Sequence, residues 1–581
     1  MPNLLAMSFE GALAPSFDLR CLQPGRKPPD GWGIGFYPGG EPSAMVLKEP
    51  APPHESIRSE LVKSWEHLAS SLFLLHVRSA TWGSNSTANT QPFERSWGGR
   101  DWLMAHSGSL RHRIELLSQK PFEPVGSTDS ERVFCEVLNR AVEAGARSLK
   151  DISPELLHRW LLDLNEHGSL SMVITDGHDL VAYADRAGDG DVFVCELRPP
   201  HGPRRFGDDD LHVDLTRRGI KSRKGVLVSS EALTFEGETR AAWRRLERGR
   251  LLVVRQGAVE AELEPDVTLG SLPPRPVAAR SEHMMAAPPA EPRTLEVKHR
   301  TVYRYETPVE RSTHLLRLTP AHDRRQRLVD FELKVSVDGL VREYEDVFGN
   351  HAHRMLLESP YTELVIEARS VVETLNSEPL RRQSLAAPSK LPHPWMPWQR
   401  QLLAPYLLPP ELPESQLDEL VEYGESFAAR NDYDLLDTLI DLNRTVFREY
   451  EYKQGETTVF TSAFDVYTHR RGVCQDFTNL FICLARLMNI PARYVCGYIY
   501  TGPKNPNQVQ SEASHAWVEV YLAERGWVGF DPTNGVLAQT DHVRVAVGRN
   551  YVDATPTSGT LFVGGGAEKL EVAVTVEPQG A

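Results

Sequence analysis

GVCQDFTNLFICLARLMNIPARYVCGY, residues 472–498, leads into SEASHAWVEVYLAERGW, residues 511–527, and then VGFDPTN, residues 528–534. After Cys474, the residues Phe477, Leu480, Phe481, Leu484, Leu487 and Met488 recur at helical spacing. Gly472 precedes the run, and Asn489, Ile490 and Pro491 close it. The pattern predicts a largely buried helix with Cys474 in its first turn. Unpaired amides at such a start carry partial positive charge, which favours thiolate over thiol and can hold a developing oxyanion.

His515 opens a stretch, Trp517, Val518, Val520 and Leu522, rich in aromatic and β-branched residues that suit a strand. A polar turn at 523–526 leads to Trp527, Val528, Gly529 and Phe530, and Pro532 leaves Asp531 at the strand's end. With a three-residue hairpin loop, His515 and Asp531 share a face as near-diagonal neighbours. There the imidazole takes the thiol proton while the carboxylate orients its other nitrogen. Taken singly, each residue has a plainer explanation: a core cysteine, a satisfied histidine, an Asp-Pro turn. The three together, in this order, point to a nucleophilic thiol site.

Cys474 in GVCQDF, His515 in SHAWVEV and Asp531 in DPTN resemble the bacterial transglutaminase-like superfamily. Tyr452, Gly455, Arg493-Tyr494 and Gly497-Tyr498 fit the same pattern, and the resemblance runs from Thr294 to the C-terminus. It implies a papain-like core with a Cys-His-Asp triad. The family includes amine acyl transferases, peptidases, amidases and members with no known substrate.

The composition sets bounds around this site. The chain has 581 residues, enough for three or four domains, with 41% apolar and 25% charged residues, as in globular proteins. The net charge of −15 and the shortness of the arginine pairs Arg217-Arg218 and Arg324-Arg325 argue against nucleic acid and anionic membrane as partners. Six cysteines, with no CxxC pair, indicate neither a zinc site nor a disulfide framework. His351 and His353 lack a third ligand in sequence and read as a loop pair, so no metal and no cofactor is expected. The sparse cysteines, the lack of a leader pattern in MPNLLAMSFEGALAP and the absence of an apolar run of spanning length together predict a cytoplasmic protein.

Residues 1–270 alternate short strands, at 33–37, 71–77, 102–105, 171–174, 180–183 and 225–228, with amphipathic helices at 131–146 and 154–165. This is a mixed α/β layered domain. Its polar and glycine-rich motifs are Asp30-Gly31-Trp32-Gly33, the run from His76 through Arg78, Gln91-Pro92-Phe93, His106-Ser107-Gly108-Ser109 and the run from Ser127 through Asp129 to Glu131. Arg78 can pair with a carboxylate and Asp129 with an ammonium, as an amino acid zwitterion requires. Spacing alone serves equally well for two structural ion pairs.

Those motifs resemble the class II glutamine amidotransferases, over residues 1 to about 260. The resemblance implies an N-terminal-nucleophile fold, two sheets between helical layers. It also implies glutamine held by residues matching Arg78 and Asp129, and an oxyanion hole matching Ser107 and Gly108. The sequence departs from that family twice: Pro2 stands where the nucleophilic cysteine follows Met1, and Ser107 stands where the oxyanion asparagine belongs. Cys21 lies too far along to replace the nucleophile. An exposed N-terminal Pro2 would be a secondary amine, a base or nucleophile in other enzymes, but a tolerated substitution after loss of activity is the simpler account. The domain is expected to be a pseudo-amidotransferase.

Residues 271–293 carry six prolines and several alanines and read as a linker. Residues 294–380 alternate as strands and resemble the β-rich region that precedes many transglutaminase-like cores, a β-sandwich-like module. Residues 381–415 form a proline-rich connection. Residues 416–581 hold helices at 416–430 and 434–449, the catalytic core, and a final strand, KLEVAVTVEP, that resembles the strand closing this family's core. The fold expectation is an α+β multidomain chain: an αββα sandwich, a β-sandwich-like module and a papain-like core. The functional expectation is a thiol enzyme acting on a peptide, protein or amide substrate, with water slightly preferred over an amine as acceptor. Two rivals stand beside it: a first domain that binds glutamine or a γ-glutamyl group without turnover, and a pair of scaffolds carrying a relict triad. The oligomeric state is not legible in the sequence.

Overall fold

A computed structural model describes residues 3–579, apart from 21–28, 41, 65–67, 80–83, 112–119, 189, 203, 216–222, 238–242, 266–291, 376–388, 503–513 and 524. The chain divides into two compact units, Met1–Ala278 and Ala279–Ala581. Pro2, Cys21 and most of the expected linker lie outside the described residues.

In the first unit, two sheets face each other. The seven-stranded sheet has Leu4–Leu13 at its centre, between Gly225–Ser229 and Ser70–Arg78. Strand periodicity splits that segment cleanly. Leu4 and Ala6 face the second sheet, where they meet Leu103, Ala105, Val173, Ala182 and Leu252. Leu5, Met7 and Phe9 face outward. The six-stranded sheet includes Arg100–Ser107, Ser171–Thr175 and Asp179–Tyr183, and its far face is covered by helices Asp129–Glu143 and Pro154–Asn165. The far face of the seven-stranded sheet is covered by the short helix Ile57–Ser64 and a four-stranded sheet, so that outer layer is largely β rather than helical. Both long helices start on a side-chain cap, Thr128 accepting from Glu131 N–H and Ser153 from Leu156 N–H.

The second unit begins with the 24-residue strand Arg293–Leu316, which pairs along its first half with Tyr361–Thr374 and along its second with His351–Leu357. Its other edge pairs with the tail strands Thr557–Gly564 and Glu568–Pro578. This corrects the expectation that the tail closes the catalytic core. Alternation marks a strand without naming its partner, and here the partner is the β-rich module. His351 and His353 open a strand rather than sitting in a loop, and His353 is buried. The proline-rich connection contains a helix, Pro397–Leu407, with Pro397 at its first position, where a missing N–H costs no hydrogen bond.

The core packs helices Glu414–Arg430, Leu435–Glu449, Ala463–His469 and Cys474–Leu487 against a five-stranded antiparallel sheet. The sheet order is Val536–Leu537, Gly526–Asp531, His515–Leu522, Ala492–Ile499, His542–Gly548. Phe477, Leu480, Phe481 and Leu484 are buried in the shared core of these helices and the sheet, each stabilising it by roughly 1.5–3 kcal/mol. No helix among the described residues is long and apolar enough to cross a membrane.

Candidate active site

Cys474 is the first residue of its helix and is partly exposed. Asp476 fixes that first turn. Its Oδ2 accepts from Val473 N–H at 2.8 Å and from the Thr457 hydroxyl at 2.7 Å. Burial pushes the Asp476 carboxyl up, and these two hydrogen bonds work against the rise. The helix ends where Asn489 turns left-handed at φ 61°, a residue type that tolerates this conformation. Tyr452, Tyr494 and Cys496 surround the thiol. Burial first, then the nearby sulfur, pushes Tyr452 up to about 12 and Cys496 up to about 12.

The hairpin that presents the other two residues has the expected loop, with Leu522 opposite Gly526 and Val518 opposite Phe530. His515 and Asp531 are both buried, and Nε2 of His515 donates to Oδ2 of Asp531 at 2.9 Å. The other ring nitrogen, Nδ1, is buried without a hydrogen-bond partner among the described residues. Cys474 lies on that histidine: burial alone would lower the His515 pKa, but the Asp531 charge and hydrogen bond, and then the Cys474 sulfur, raise it to about 10. Asp531 is held well below the ordinary carboxylate range. Burial would raise it, and the two neighbouring imidazoles more than reverse that.

Sequence reasoning missed the second of those imidazoles. His542, eleven residues beyond Asp531, sits on the far edge strand and donates from Nε2 to the same Oδ2 at 3.1 Å. Asn534 Nδ2 adds a third donor to that oxygen at 2.7 Å, while Oδ1 accepts from the backbone N–H groups of Thr533 and Asn534. Trp517 packs against both imidazoles, its ring centroid 6.0 Å from His515 and 5.1 Å from His542. Gly497 makes room for that indole. A Cβ there would lie 2.1 Å from the Val543 carbonyl and 2.6 Å from the Trp517 ring.

His515, Asp531 and His542 bring ligand-type atoms within 4.8 Å of one another. A metal on both Nε2 atoms would leave each Nδ1–H as a buried donor. Ligating histidines ordinarily anchor that N–H on an acceptor, and neither Nδ1 has a partner among the described residues. What the structure shows directly is one carboxylate oxygen at hydrogen-bond distance from two Nε2 atoms, 2.9 and 3.1 Å, the arrangement of a carboxylate shared by two Nε2–H donors.

In the first unit the motifs converge. Gln91 brackets His106, donating to its carbonyl and accepting from its N–H. His106 in turn engages both ring nitrogens, Nδ1 with the Ser130 hydroxyl at 2.9 Å and Nε2 with the Ser169 carbonyl at 3.1 Å. Ser107 ends its strand, and Gly108 follows at φ 155°, where a Cβ would lie 2.4 Å from the Ser169 carbonyl. Asp129 accepts from Leu110 N–H and Ser130 N–H, and Arg78 donates to Asn85 Oδ1 at 3.0 Å and weakly to the Ser84 carbonyl. These two expected ligand-holding residues are thus engaged by their own chain. Arg78 is nearly buried, and burial lowers its pKa despite the nearby Asp30.

Family comparisons match three segments: the class-II glutamine amidotransferases over residues 1–273, the bacterial transglutaminase-like N-terminal region over 295–373, and the transglutaminase-like superfamily over 423–532. An uncharacterised protein of Methanocaldococcus jannaschii is 34% identical over 229 residues, covering 39% of this chain and 62% of that protein. An uncharacterised protein of Mycobacterium leprae is 31% identical over 292 residues, covering 48% of this chain and 98% of the relative. Among solved structures, a predicted glutamine amidotransferase from Pseudomonas aeruginosa is 27% identical, covering 45% of this chain and 99% of its own, at a TM-score of 0.36.

Proposed function

The chain belongs to the transglutaminase-like superfamily through its second unit and to the class-II glutamine amidotransferases through its first, and from that premise we propose that it is a thiol enzyme cleaving amide or peptide bonds. The observation that carries the proposal is a buried His515–Asp531 pair with one imidazole nitrogen left over beside a partly exposed cysteine at a helix start.

In the proposed reaction the Cys474 thiol passes its proton to His515 Nδ1, and the sulfur bonds to the substrate carbonyl carbon. Backbone N–H groups of the first helical turn hold the oxyanion. His515 then protonates the leaving amine, the C–N bond breaks, and a thioacyl-enzyme remains. Water, giving a proton to the same nitrogen, attacks the thioester; the acid departs and the thiol is restored. Asp531 keeps His515 in the Nε2–H tautomer throughout. A reducing, cytoplasmic setting belongs to the proposal, because oxidation of Cys474 would stop the reaction. The first unit is proposed as a pseudo-amidotransferase. With Pro2 and Ser107 in place of a thiol and an amide, it would recognise glutamine or a γ-glutamyl group through Arg78, Ser107, Gly108 and Asp129 without hydrolysing it.

Incubating the full chain with a peptide and amide library, with and without an added amine, tests this by mass spectrometry. Products carrying water support hydrolysis, and products carrying the amine assign acyl transfer instead. An unchanged library, with no acyl adduct on Cys474, contradicts the enzyme reading.

A further inference from the structure

Asp531 is surrounded more completely than a catalytic carboxylate needs. One oxygen accepts from His515, His542 and Asn534, and the other accepts two backbone N–H groups. Five donors exceed the four or so lone-pair positions of a carboxylate. Its orientation is fixed and its charge divided.

We infer that His542 is a positioning residue of the thiol site, pinning Asp531 and drawing off part of its charge so that His515 can return its proton to the leaving amine. The inference rests on the thiol reading above. His542 itself is well held. Its ring packs against Trp517, and its backbone N–H donates to the Gln539 carbonyl. The loop that carries it is tied to the β-rich module where the Thr374 hydroxyl donates to the Thr540 carbonyl at 2.8 Å. His542 does not act on substrate directly, because its one hydrogen-bonded ring nitrogen points at Asp531 and its other is buried.

The charge argument has a definite sign. The titratable groups facing Asp531 are His515 from the adjacent strand and His542 from the edge strand. Those facing His515 are Asp531, Cys474 from the helix start, and the His542 ring, 6.2 Å away between centroids. A hydrogen bond to the ionised carboxylate stabilises that form and leaves less of its charge to attract an imidazolium. Loss of the His542 donor therefore tightens the Asp531–His515⁺ pair. His515 then holds its proton to higher pH and surrenders it less readily.

The test needs no known substrate. The rate of Cys474 alkylation by iodoacetamide, followed by peptide mapping between about pH 5 and 11.5, reports the thiolate and the loss of the neighbouring imidazolium charge. His542→Phe keeps a ring against Trp517 but removes the donor, and should move the alkaline inflection up by about half a pH unit or more. His542→Gln keeps a neutral donor and should leave the inflection in place. An inflection that does not move in His542→Phe overturns the inference, since a merely structural role would lower rates without shifting the profile. His515→Ala separates the two readings. In that variant the two-step profile must collapse to a single thiol titration, and an unchanged two-step profile would overturn the thiol reading whatever His542 does. Should His542→Phe not fold, imidazole nitrogen NMR of the wild-type chain decides. An Nε2–H tautomer at His542 supports the inference, and an Nδ1–H tautomer overturns it.

Discussion

Two buried histidines, His106 in the first unit and His515 in the second, are spent differently. His106 in the first unit commits both ring nitrogens, to Ser130 and Ser169, and burial pulls its pKa down, which favours the neutral ring. His515 in the second unit commits one nitrogen to Asp531, has no hydrogen-bond partner for the other among the described residues, and is raised to about 10 by Asp531 and then Cys474. The carboxylates differ in the same way. Asp129 accepts from two backbone amides, whereas Asp531 accepts from two imidazoles as well as two backbone amides. On the proposed reading, a polar cluster acquires chemistry when one capacity is left over for a neighbouring thiol. A cluster that satisfies itself holds a shape.

The sharpest way to break the contrast is to remove the nucleophile. Cys474→Ala should lower covalent turnover by about 10³-fold or more in any assay the library screen yields, and normal turnover would end the thiol mechanism. His515→Ala should fall nearly as far. Asp531→Asn should cost roughly 10²–10⁴-fold in kcat, through a lost tautomer rather than a lost nucleophile, and steady-state kinetics on the three variants orders them.

A second expectation concerns stability. Asp531 is depressed, so its contribution is present above the ordinary carboxylate value, about 3.9, and is lost as pH falls. His515 is raised, so its contribution is complete below about 6.5 and is lost as pH climbs through about 10. Thermal melts of the wild-type chain should therefore decline at both ends. Asp531→Asn, which breaks a fully buried pair, should be destabilised by about 3–5 kcal/mol near neutral pH and show flatter ends. An unchanged pH profile in that variant would mean that the pair does not couple to folding.

The smallest effect is expected in the first unit. Calorimetry with glutamine on the full chain carrying Cys474→Ala should give weak binding, weakened further by Arg78→Ala and by Asp129→Ala, with no ammonia released. Strong binding that survives both substitutions would show that the self-satisfied cluster is not the recognition site, and ammonia release would show a nucleophile in the first unit.

Much of the thiol site was legible because its parts are local. The apolar spacing after Cys474 sets the helix, and a three-residue loop sets the diagonal of His515 and Asp531. His542 was not legible. Its stretch, HVRVAVG, announces a strand, yet nothing in it tells that this strand pairs with Ala492–Ile499 and brings the ring back to Asp531. The same limit applies to the tail, whose partner is the strand Arg293–Leu316, and to Leu4–Leu13, whose partners Ser70–Arg78 and Gly225–Ser229 lie far along the chain. In the first unit the motifs foretold which residues gather. They did not foretell that Arg78 and Asp129 would be engaged by neighbours, since such bonds depend on loop paths rather than on residue type.

Limiting iodoacetamide on the native chain, with peptide mapping of every cysteine, tests the central claim most directly. Cys135, Cys483 and Cys496 are buried thiols, pushed up to about 11, about 12 and about 12 by burial, and serve as internal controls. The account predicts that Cys474 is labelled first and that His515→Ala abolishes its lead. Preferential labelling of one of the buried cysteines, or an undiminished lead for Cys474 in His515→Ala, would contradict it.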